Sequence, residues 1–169
     1  MNREELQAAQ SPLKQSYAEN PDAALVTLSA EASLGEGVSC SVQTGHALVA
    51  AGLHPATGGT GLLACSGDML LQALAACAGV TLSAVATSLE IPISSGTISV
   101  EGDLDFSGTL GVRKESPVGF TDIRVSFALE STAGDEKLAL LAKLTERYCV
   151  VMQTLVSSPD VSLEVTAWA

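Results

Sequence analysis

A long stretch without charge sets the first limit on what this chain can fold into. Residues 69–89 contain no Asp, Glu, Lys or Arg, and 21 uncharged residues in helical conformation are long enough to cross a bilayer. However, Ala, Gly, Ser and Thr dilute the stretch, Gln72 interrupts it, and an acidic residue closes it at each end. We therefore expect a fully buried helix at the centre of a soluble fold, from an N-cap at Ser66 to about Leu89.

Basic residues are scarce and unevenly distributed. The chain has 8 Lys and Arg against 19 Asp and Glu, a net charge of -11, and residues 15–112 contain no cation. Binding to nucleic-acid phosphates or to anionic lipid needs clustered cations, so this pattern argues against nucleic-acid and membrane partners. A hydrophobic content of 47% argues against disorder, and 169 residues suffice for one domain with its own core.

The residue pattern predicts a single α+β domain over residues 1–169, which opens with a polar segment, residues 1–22. This segment is expected to be helical in part, around residues 4–10, and to be closed by Pro12 and Pro21. The elements predicted after it are strands over 24–30 and 38–43 with a turn at 35–37 between them, an apolar run over 46–51, the central helix, strands over 97–105 and 121–129 that form one long hairpin, helices over 135–148 and 149–156, and a closing strand over 161–166.

The chain has four cysteines, and their spacing does not match that of a zinc site. They are Cys40, Cys65, Cys77 and Cys149. The two histidines, His46 and His54, are not arranged with them as metal ligands, and no phosphate-binding glycine motif is present. We therefore expect neither a metal nor an organic cofactor. The polar N-terminus lacks a secretory leader, which predicts a cytoplasmic location, where disulfides are transient and catalytic.

Two cysteine motifs resemble the OsmC/Ohr family. Residues 65–82, CSGDMLLQALAACAGVTL, are similar to the signature of the family's central helix, in which an acidic start leads through Ala-Leu-x-Ala to a cysteine. Residues 148–155, YCVVMQTL, are similar to the family's C-P-V-x-x-T-L, and the hairpin between the motifs also looks like the family. An acid at Asp68 is similar to the YhfA-type branch. The resemblance covers roughly residues 24–168.

The resemblance implies an OsmC-like fold in which a long buried central helix is wrapped by antiparallel sheets in an intertwined homodimer. It further implies a thiol-dependent peroxidase that reduces organic hydroperoxides, with Cys77 as the peroxidatic and Cys149 as the resolving cysteine. The chemistry suits two thiols, because a thiolate that attacks a peroxide becomes a sulfenic acid, which a second thiol condenses to a disulfide. A cellular dithiol then reduces the disulfide.

The chain departs from the family at the groups that activate the cysteine. Well-studied relatives use an arginine of the N-terminal strands and an early glutamate of the central helix, whereas here those strands contain no arginine and Gly67 takes the glutamate position. Because burial raises a thiol's pKa, a reactive Cys77 is expected to need another cation. Asp68, Arg147 and Arg124 are the candidate supporting residues.

Two other functions remain open at the level of sequence, because a fold does not fix a function. The first is a non-enzymatic protein that binds a lipid-like or aromatic molecule in an apolar pocket at the dimer interface. The second is a redox sensor that uses the same thiols without turnover. The sequence does not assign a role to Cys40 or Cys65.

Overall fold

The computed structural model of this chain describes residues 2–20, 25, 32–34, 39–44 and 47–167. Its elements in chain order are α1 (Arg3–Glu19), β1 (Ala32–Leu34), β2 (Ser39–Thr44), β3 (Ala47–Gly52), a 3-10 turn (Pro55–Thr57), α2 (Ser66–Ser88), β4 (Ile93–Leu104), α3 (Phe106–Thr109), β5 (Phe120–Ser131), α4 (Asp135–Tyr148) and α5 (Val150–Val156). The strands form two antiparallel sheets, β1-β2-β3 and β4-β5. The α+β prediction is confirmed. Nearly all of the strand predicted over 24–30, the turn at 35–37 and His46 lie outside the described residues.

Helix α2 is the element against which the other α-helices longer than one turn and the β4-β5 hairpin pack. It contacts α1, β4, α4 and α5. Its buried residues are spaced four apart and therefore share one face: Leu74, Ala78, Leu82 and Ala86. The helix is long and apolar enough to cross a membrane by length and composition, but this buried ridge identifies it as a core helix. Its opposite face is open in a single chain, where the Val80 side chain is 73% exposed.

The start of α2 and the extent of α1 differ from the prediction. Cys65, not Ser66, is the N-cap of α2. Helix α1 continues through Pro12 to Glu19, although a proline inside a helix forfeits one backbone hydrogen bond. A capping box between Asn2 and Glu5 satisfies the backbone N–H groups of these two residues and so stabilises the start of α1.

Strands β4 and β5 form the predicted hairpin, which is longer than expected. Their register runs from Ile93 opposite Ser131 to Leu104 opposite Phe120. Side chains alternate along both strands, so one face is apolar and packs against the ridge of α2, while the other face is polar and exposed. The hairpin thereby forms one wall of the core around Leu74 and Ala78.

The predicted closing strand over 161–166 is wrong for a single chain. Residues 157–167 form neither helix nor strand, and the alternating apolar side chains Val161, Leu163 and Val165 are 89%, 92% and 85% exposed. A strand needs a neighbouring backbone to pair with and an apolar surface to bury its alternate side chains. No described strand of this chain pairs with the segment.

Arg124 joins the two strands of the hairpin on the exposed face. Asp103 and Asp122 lie directly opposite each other in the register, an arrangement that is repulsive for two carboxylates. The Arg124 guanidinium lies 2.5 Å from Asp103 and 2.6 Å from Asp122, and 3.6 Å from Glu101. Its hydrogen bond to Asp103 lowers the pKa of that carboxyl group below its usual range.

We expect Arg124→Leu to lower the melting temperature at neutral pH, because it leaves two facing carboxylates without their shared cation. The pKa of Asp103 is depressed in the folded protein, so the stabilisation is present above the unfolded-state pKa and is lost as the pH falls through the folded-state pKa. The difference in melting temperature between wild type and variant should therefore shrink on acidification. Arg113→Leu is the matched control, since Arg113 forms an ion pair with Glu115 and acts on Asp105 only as a nearby charge, the smallest of the causes that lower the pKa of Asp105. An equal loss in both variants, or a loss independent of pH, would contradict this interpretation.

Candidate functional site

Cys77 lies on α2 at the border between its buried and its open face. One helical turn away, Leu74 is fully buried, and the adjacent Ala78 is fully buried too. On the other side, Ala73 and Val80 are exposed. Cys77 itself is half-buried and is a free cysteine. Its thiol can therefore contact the core on one side while remaining accessible from the open face of α2.

Cys149 is the single residue between α4 and α5. It is the C-cap of α4 and the N-cap of α5, with an extended backbone (φ -73°, ψ 105°) that ends one helix and begins the next. Its N–H donates to the Thr145 carbonyl over 2.9 Å, and its own carbonyl accepts from Gln153 N–H over 2.9 Å. The side chain is completely buried and packs with Leu74 and Ala78.

Packing of α5 on α2 brings the two predicted redox cysteines together. Burial raises the pKa of the Cys77 thiol, and four hydrogen bonds to its sulfur act in the opposite direction. The donors are Val151 N–H, Cys149 S–H, Thr81 O–H and Val150 N–H. Together they bring the pKa of Cys77 below its usual range, because each donor stabilises the thiolate.

The pKa of the second thiol moves in the opposite direction. Burial raises the pKa of Cys149, and a hydrogen bond from Met152 N–H only partly offsets this. The Cys77 thiolate raises the pKa of Cys149 further, both as a hydrogen-bond acceptor and as a nearby negative charge. Of the two thiols, Cys77 is therefore the more acidic and Cys149 the less acidic.

The first N–H groups of α5 act on both thiols. The first N–H groups of a helix have no intrahelical partner, and Cys149 is the N-cap of α5. The N–H groups of Val150 and Val151 lower the pKa of Cys77, and those of Val151 and Met152 lower the pKa of Cys149. The sequence did not reveal these donors to Cys77, because tertiary packing brings them to α2 from another helix. It also missed Thr81, although a spacing of four residues on one helix was a usable signal.

No cation contributes to the pKa of Cys77 within the described chain. Arg147 lies over the ring of Tyr148, with its guanidinium carbon 5.7 Å from the ring centroid. Arg124 is held on the exposed face of the hairpin by three carboxylates. Within one chain, the structure thus places both candidate arginines in other interactions, and their supporting roles stay predictions.

Asp68 is also separate from the two cysteines in a single chain. It lies in the first turn of α2, and nine residues of helix put it about 13 Å from Cys77 along the axis. It lines a cavity of about 320 Å³ together with Cys65 and His54. Cys40 lies in β2. Among the described residues, no group of three or more His, Cys, Asp or Glu is placed to hold a metal ion.

An apolar cavity of about 550 Å³ adjoins the core around Cys149. Its walls include Leu74 of α2, Phe127 of β5, and Met152 and Leu155 of α5. Two charged residues of α4, Lys143 and Glu146, also line it. Leu74 belongs both to this wall and to the cluster that packs against Cys149, so the cavity lies close to the thiol pair. We call it the apolar cavity below.

The sequence matches the family model described as OsmC-like protein over residues 59–164, more than half of the chain. The chain belongs to the OsmC-like family. This match spans α2, the hairpin, α4 and α5, so it includes both Cys77 and Cys149. A comparison with curated proteins finds no match by sequence.

Solved structures share the OsmC-like fold. The OsmC-like protein from Mycoplasma pneumoniae has a TM-score of 0.66 and 19% identity, covering 79% of this chain and 89% of that one. The organic hydroperoxide resistance protein OsmC from Legionella pneumophila has a TM-score of 0.62 and 17% identity, covering 79% and 92%. An organic hydroperoxide resistance protein from Elizabethkingia anophelis has a TM-score of 0.63 and 15% identity, covering 79% and 91%. At these identities the likeness shows the fold.

We expect Cys77 to ionise at a lower pH than Cys149. The measurement is the ultraviolet absorbance of the thiolate during a pH titration, in two variants that both carry Cys40→Ser and Cys65→Ser. With Cys149→Ser added, the titration reports Cys77, and the serine hydroxyl can still donate to its sulfur. With Cys77→Ser added, it reports Cys149, which stays buried. A lower midpoint for Cys149 than for Cys77 would refute the assignment of the thiolate.

Proposed function

We propose that this OsmC-like protein is a thiol-dependent peroxidase that reduces organic hydroperoxides through Cys77 and Cys149 and is recycled by a dithiol reductant. The observation that carries the proposal is the packing of the free thiol of Cys77 against the core cluster that contains the free thiol of Cys149. The lowered pKa of Cys77 and the raised pKa of Cys149 support it. The names of the Legionella and Elizabethkingia structures, both organic hydroperoxide resistance proteins, favour the same substrate class.

The first step places the nucleophile on Cys77. Its thiolate attacks the terminal oxygen of the hydroperoxide, the O–O bond breaks, and the electron pair leaves with the alkoxide, which takes a proton and departs as the alcohol. Cys77 is oxidised to a sulfenic acid. The proton that the alkoxide takes comes from solvent, so Cys149 keeps its own S–H for the second step.

The second step uses Cys149 as the resolving thiol. Oxidation of Cys77 removes the negative charge that raises the pKa of Cys149, so the second thiol becomes more acidic once the first has reacted. The Cys149 sulfur then attacks the Cys77 sulfur, a disulfide forms, and the hydroxyl group leaves as water. A dithiol returns both cysteines to thiols by thiol–disulfide exchange, which restores the enzyme. This reducing step favours a cytoplasmic location.

The apolar cavity supports a substrate with an apolar organic group. It is within the size range of small-molecule sites and lies beside the core that holds Cys149. The same cavity favours the second candidate function, a protein that binds an apolar molecule without reacting. Turnover separates the two functions, because a binding protein leaves its thiols unchanged when a hydroperoxide is added.

We expect reduced protein to lose two free thiols per chain on treatment with cumene hydroperoxide. Cys77→Ser should lose neither, whereas Cys149→Ser should lose one and retain Cys77 as a sulfenic acid that dimedone labels. Cys65→Ser is the matched control and should still lose two, since Cys65 lies at the other end of α2. Unchanged thiols in millimolar peroxide would refute the peroxidase.

A coupled assay with dihydrolipoamide separates an enzyme from a redox sensor. An enzyme consumes hydroperoxide continuously until the dithiol is exhausted. A sensor that is not recycled stops after one equivalent per chain.

We further propose that the protein is an intertwined homodimer. Two features of the single chain support a second copy as a neighbour. The first is the open apolar face of α2 around Val80, and the second is the C-terminal segment, which pairs with none of the described strands and exposes Val161, Leu163 and Val165. Burial of such surfaces is the main driving force for association between subunits. The segment's alternation suits pairing with a strand of the partner copy.

We expect light scattering after gel filtration to give about twice the chain mass of 17.2 kDa. Val80→Lys places a charge in the open face of α2 and should shift the mass toward that of the monomer. Val118→Lys is the control, because Val118 is exposed in the segment before β5 and away from that face. A monomeric wild type, or equal effects of both substitutions, would argue against the interface.

A further inference from the structure

A second cavity lies at the start of α2, and neither Cys77 nor Cys149 lines it. Its volume of about 320 Å³ is at the lower end of the range of small-molecule sites. We call it the α2 cavity. The first turn of α2 meets the hairpin there, at the end where β4 leads into α3. The apolar walls are Leu71, Leu104, Phe106 and Phe120.

Two glycines give the α2 cavity its shape. The ring of Phe120 lies against the backbone of Gly102, where a Cβ would be 2.6 Å from the ring. Gly67 itself lines the cavity. A Cβ at Gly67 would be in van der Waals contact, at 3.5–3.7 Å, with three other lining residues: Phe120, Cys65 and Leu104. The cavity therefore includes the space that a side chain at Gly67 would fill.

His54 is fixed in the wall of the α2 cavity. Its ring stacks on that of Phe106, with the ring centroids 4.8 Å apart and the planes at 13°. Its carbonyl accepts from the N–H groups of Thr57 and Gly59 over 2.8 and 3.1 Å, and its Nδ1 accepts from Ala56 N–H over 3.1 Å. A nitrogen that accepts carries no proton, so the ring is neutral and has its proton on Nε2. No residue in the described part of the chain accepts a hydrogen bond from this Nε2–H.

The α2 cavity is lined by two carboxylates and by no Lys or Arg of the described chain. Asp103 is already bound by Arg124, whose two terminal nitrogens lie 2.5 and 3.0 Å from its oxygens. Asp68 forms no hydrogen bond or ion pair with a described residue. The cavity thus offers a ligand one charged acceptor, Asp68, and one neutral donor, the Nε2–H of His54.

These two polar groups determine the charge of the ligand. An anion would be repelled by the carboxylates of Asp68 and Asp103. An ammonium ion donates but cannot accept, so it would leave the Nε2–H of His54 without a partner. A hydroxyl group both donates to a carboxylate and accepts from an N–H. An aromatic ring on that hydroxyl suits walls that already contain the rings of Phe106 and Phe120.

We propose that the α2 cavity is a binding site for a small neutral aromatic alcohol of the phenol type. The ring of the ligand packs between the apolar walls, and its hydroxyl hydrogen-bonds to Asp68 and His54. This site is additional to the proposed peroxidase, and binding to it requires neither Cys77 nor Cys149.

The test is a titration of the reduced full-length protein with p-cresol and with toluene, which has the same ring and methyl group but no hydroxyl. Binding is followed by the backbone amide signals in NMR spectra. We expect p-cresol to shift the amides of Gly67, Phe106 and Phe120 and to bind about fivefold more tightly than toluene, the effect of one net hydrogen bond. Shifts confined to Phe127 and Leu155 of the apolar cavity, or equal affinities of the two ligands, would overturn the proposal. Tighter binding of benzoate or benzylammonium than of p-cresol would overturn it too.

Gly67→Leu fills the α2 cavity and should abolish the shifts at Phe106 and Phe120. Leucine has a higher helix propensity than glycine, so the variant is expected to stay folded, which its melting temperature checks. Gly134→Leu is the matched control, because a Cβ at Gly134 meets open space and Gly134 does not line the cavity. It should bind p-cresol as the wild type does. Undiminished binding by Gly67→Leu would place the ligand elsewhere and refute the site.

His54→Phe separates the hydrogen bond from the shape of the cavity, since it keeps an aromatic ring and removes the Nε2–H. We expect it to lower the affinity for p-cresol to about that for toluene and to leave toluene binding unchanged. An equal loss for both ligands, or no loss for p-cresol, would contradict the proposal. These titrations contain no peroxide, so failure of the peroxidase assay and failure of this site are separate results.

Discussion

The packing of α5 against α2 is the contact on which the candidate site depends. It buries Cys149 in the core with Leu74 and Ala78, and it brings the free N–H groups at the start of α5 to the sulfur of Cys77. The same contact makes Cys77 the more acidic thiol and Cys149 the less acidic one. A shift of α5 away from α2 would therefore remove the nearby second thiol and most of the donors that stabilise the first.

Those donors lower the pKa of Cys77 in a chain that has few cations. From the sequence, a span of 98 residues without Lys or Arg argued that Cys77 lacked the group that a buried thiolate needs. The structure shows that hydrogen bonds from neutral groups lower the pKa of Cys77 without any cationic contribution from the described chain. Hydrogen bonding to the charged form is a separate cause of pKa shifts, and it is the one that operates here.

The sequence predicted the elements that depend on local pattern and failed where the outcome depends on another surface. The uncharged stretch located α2, and alternation located the hairpin, because both signals arise from which side chains face the core. The residues 161–166 alternate equally well, but a strand forms only with a neighbour, and none of the strands described in one chain pairs with them. For the same reason the motifs named Cys77 and Cys149, whereas the donors on Val150 and Val151 became visible only through tertiary packing.

The coupling between the two thiols also orders the proposed chemistry. While Cys77 is a thiolate, its charge and its acceptance of the S–H bond keep the proton on Cys149, so the second thiol is a poor nucleophile. Conversion of Cys77 to a neutral sulfenic acid removes both effects, and the pKa of Cys149 falls at the moment when its nucleophilicity is needed. The part of the Cys149 pKa shift that burial causes is permanent. The part that the Cys77 thiolate causes disappears when the peroxide has reacted. In the proposed reaction, the acidity of the resolving thiol therefore increases only after Cys77 has been oxidised.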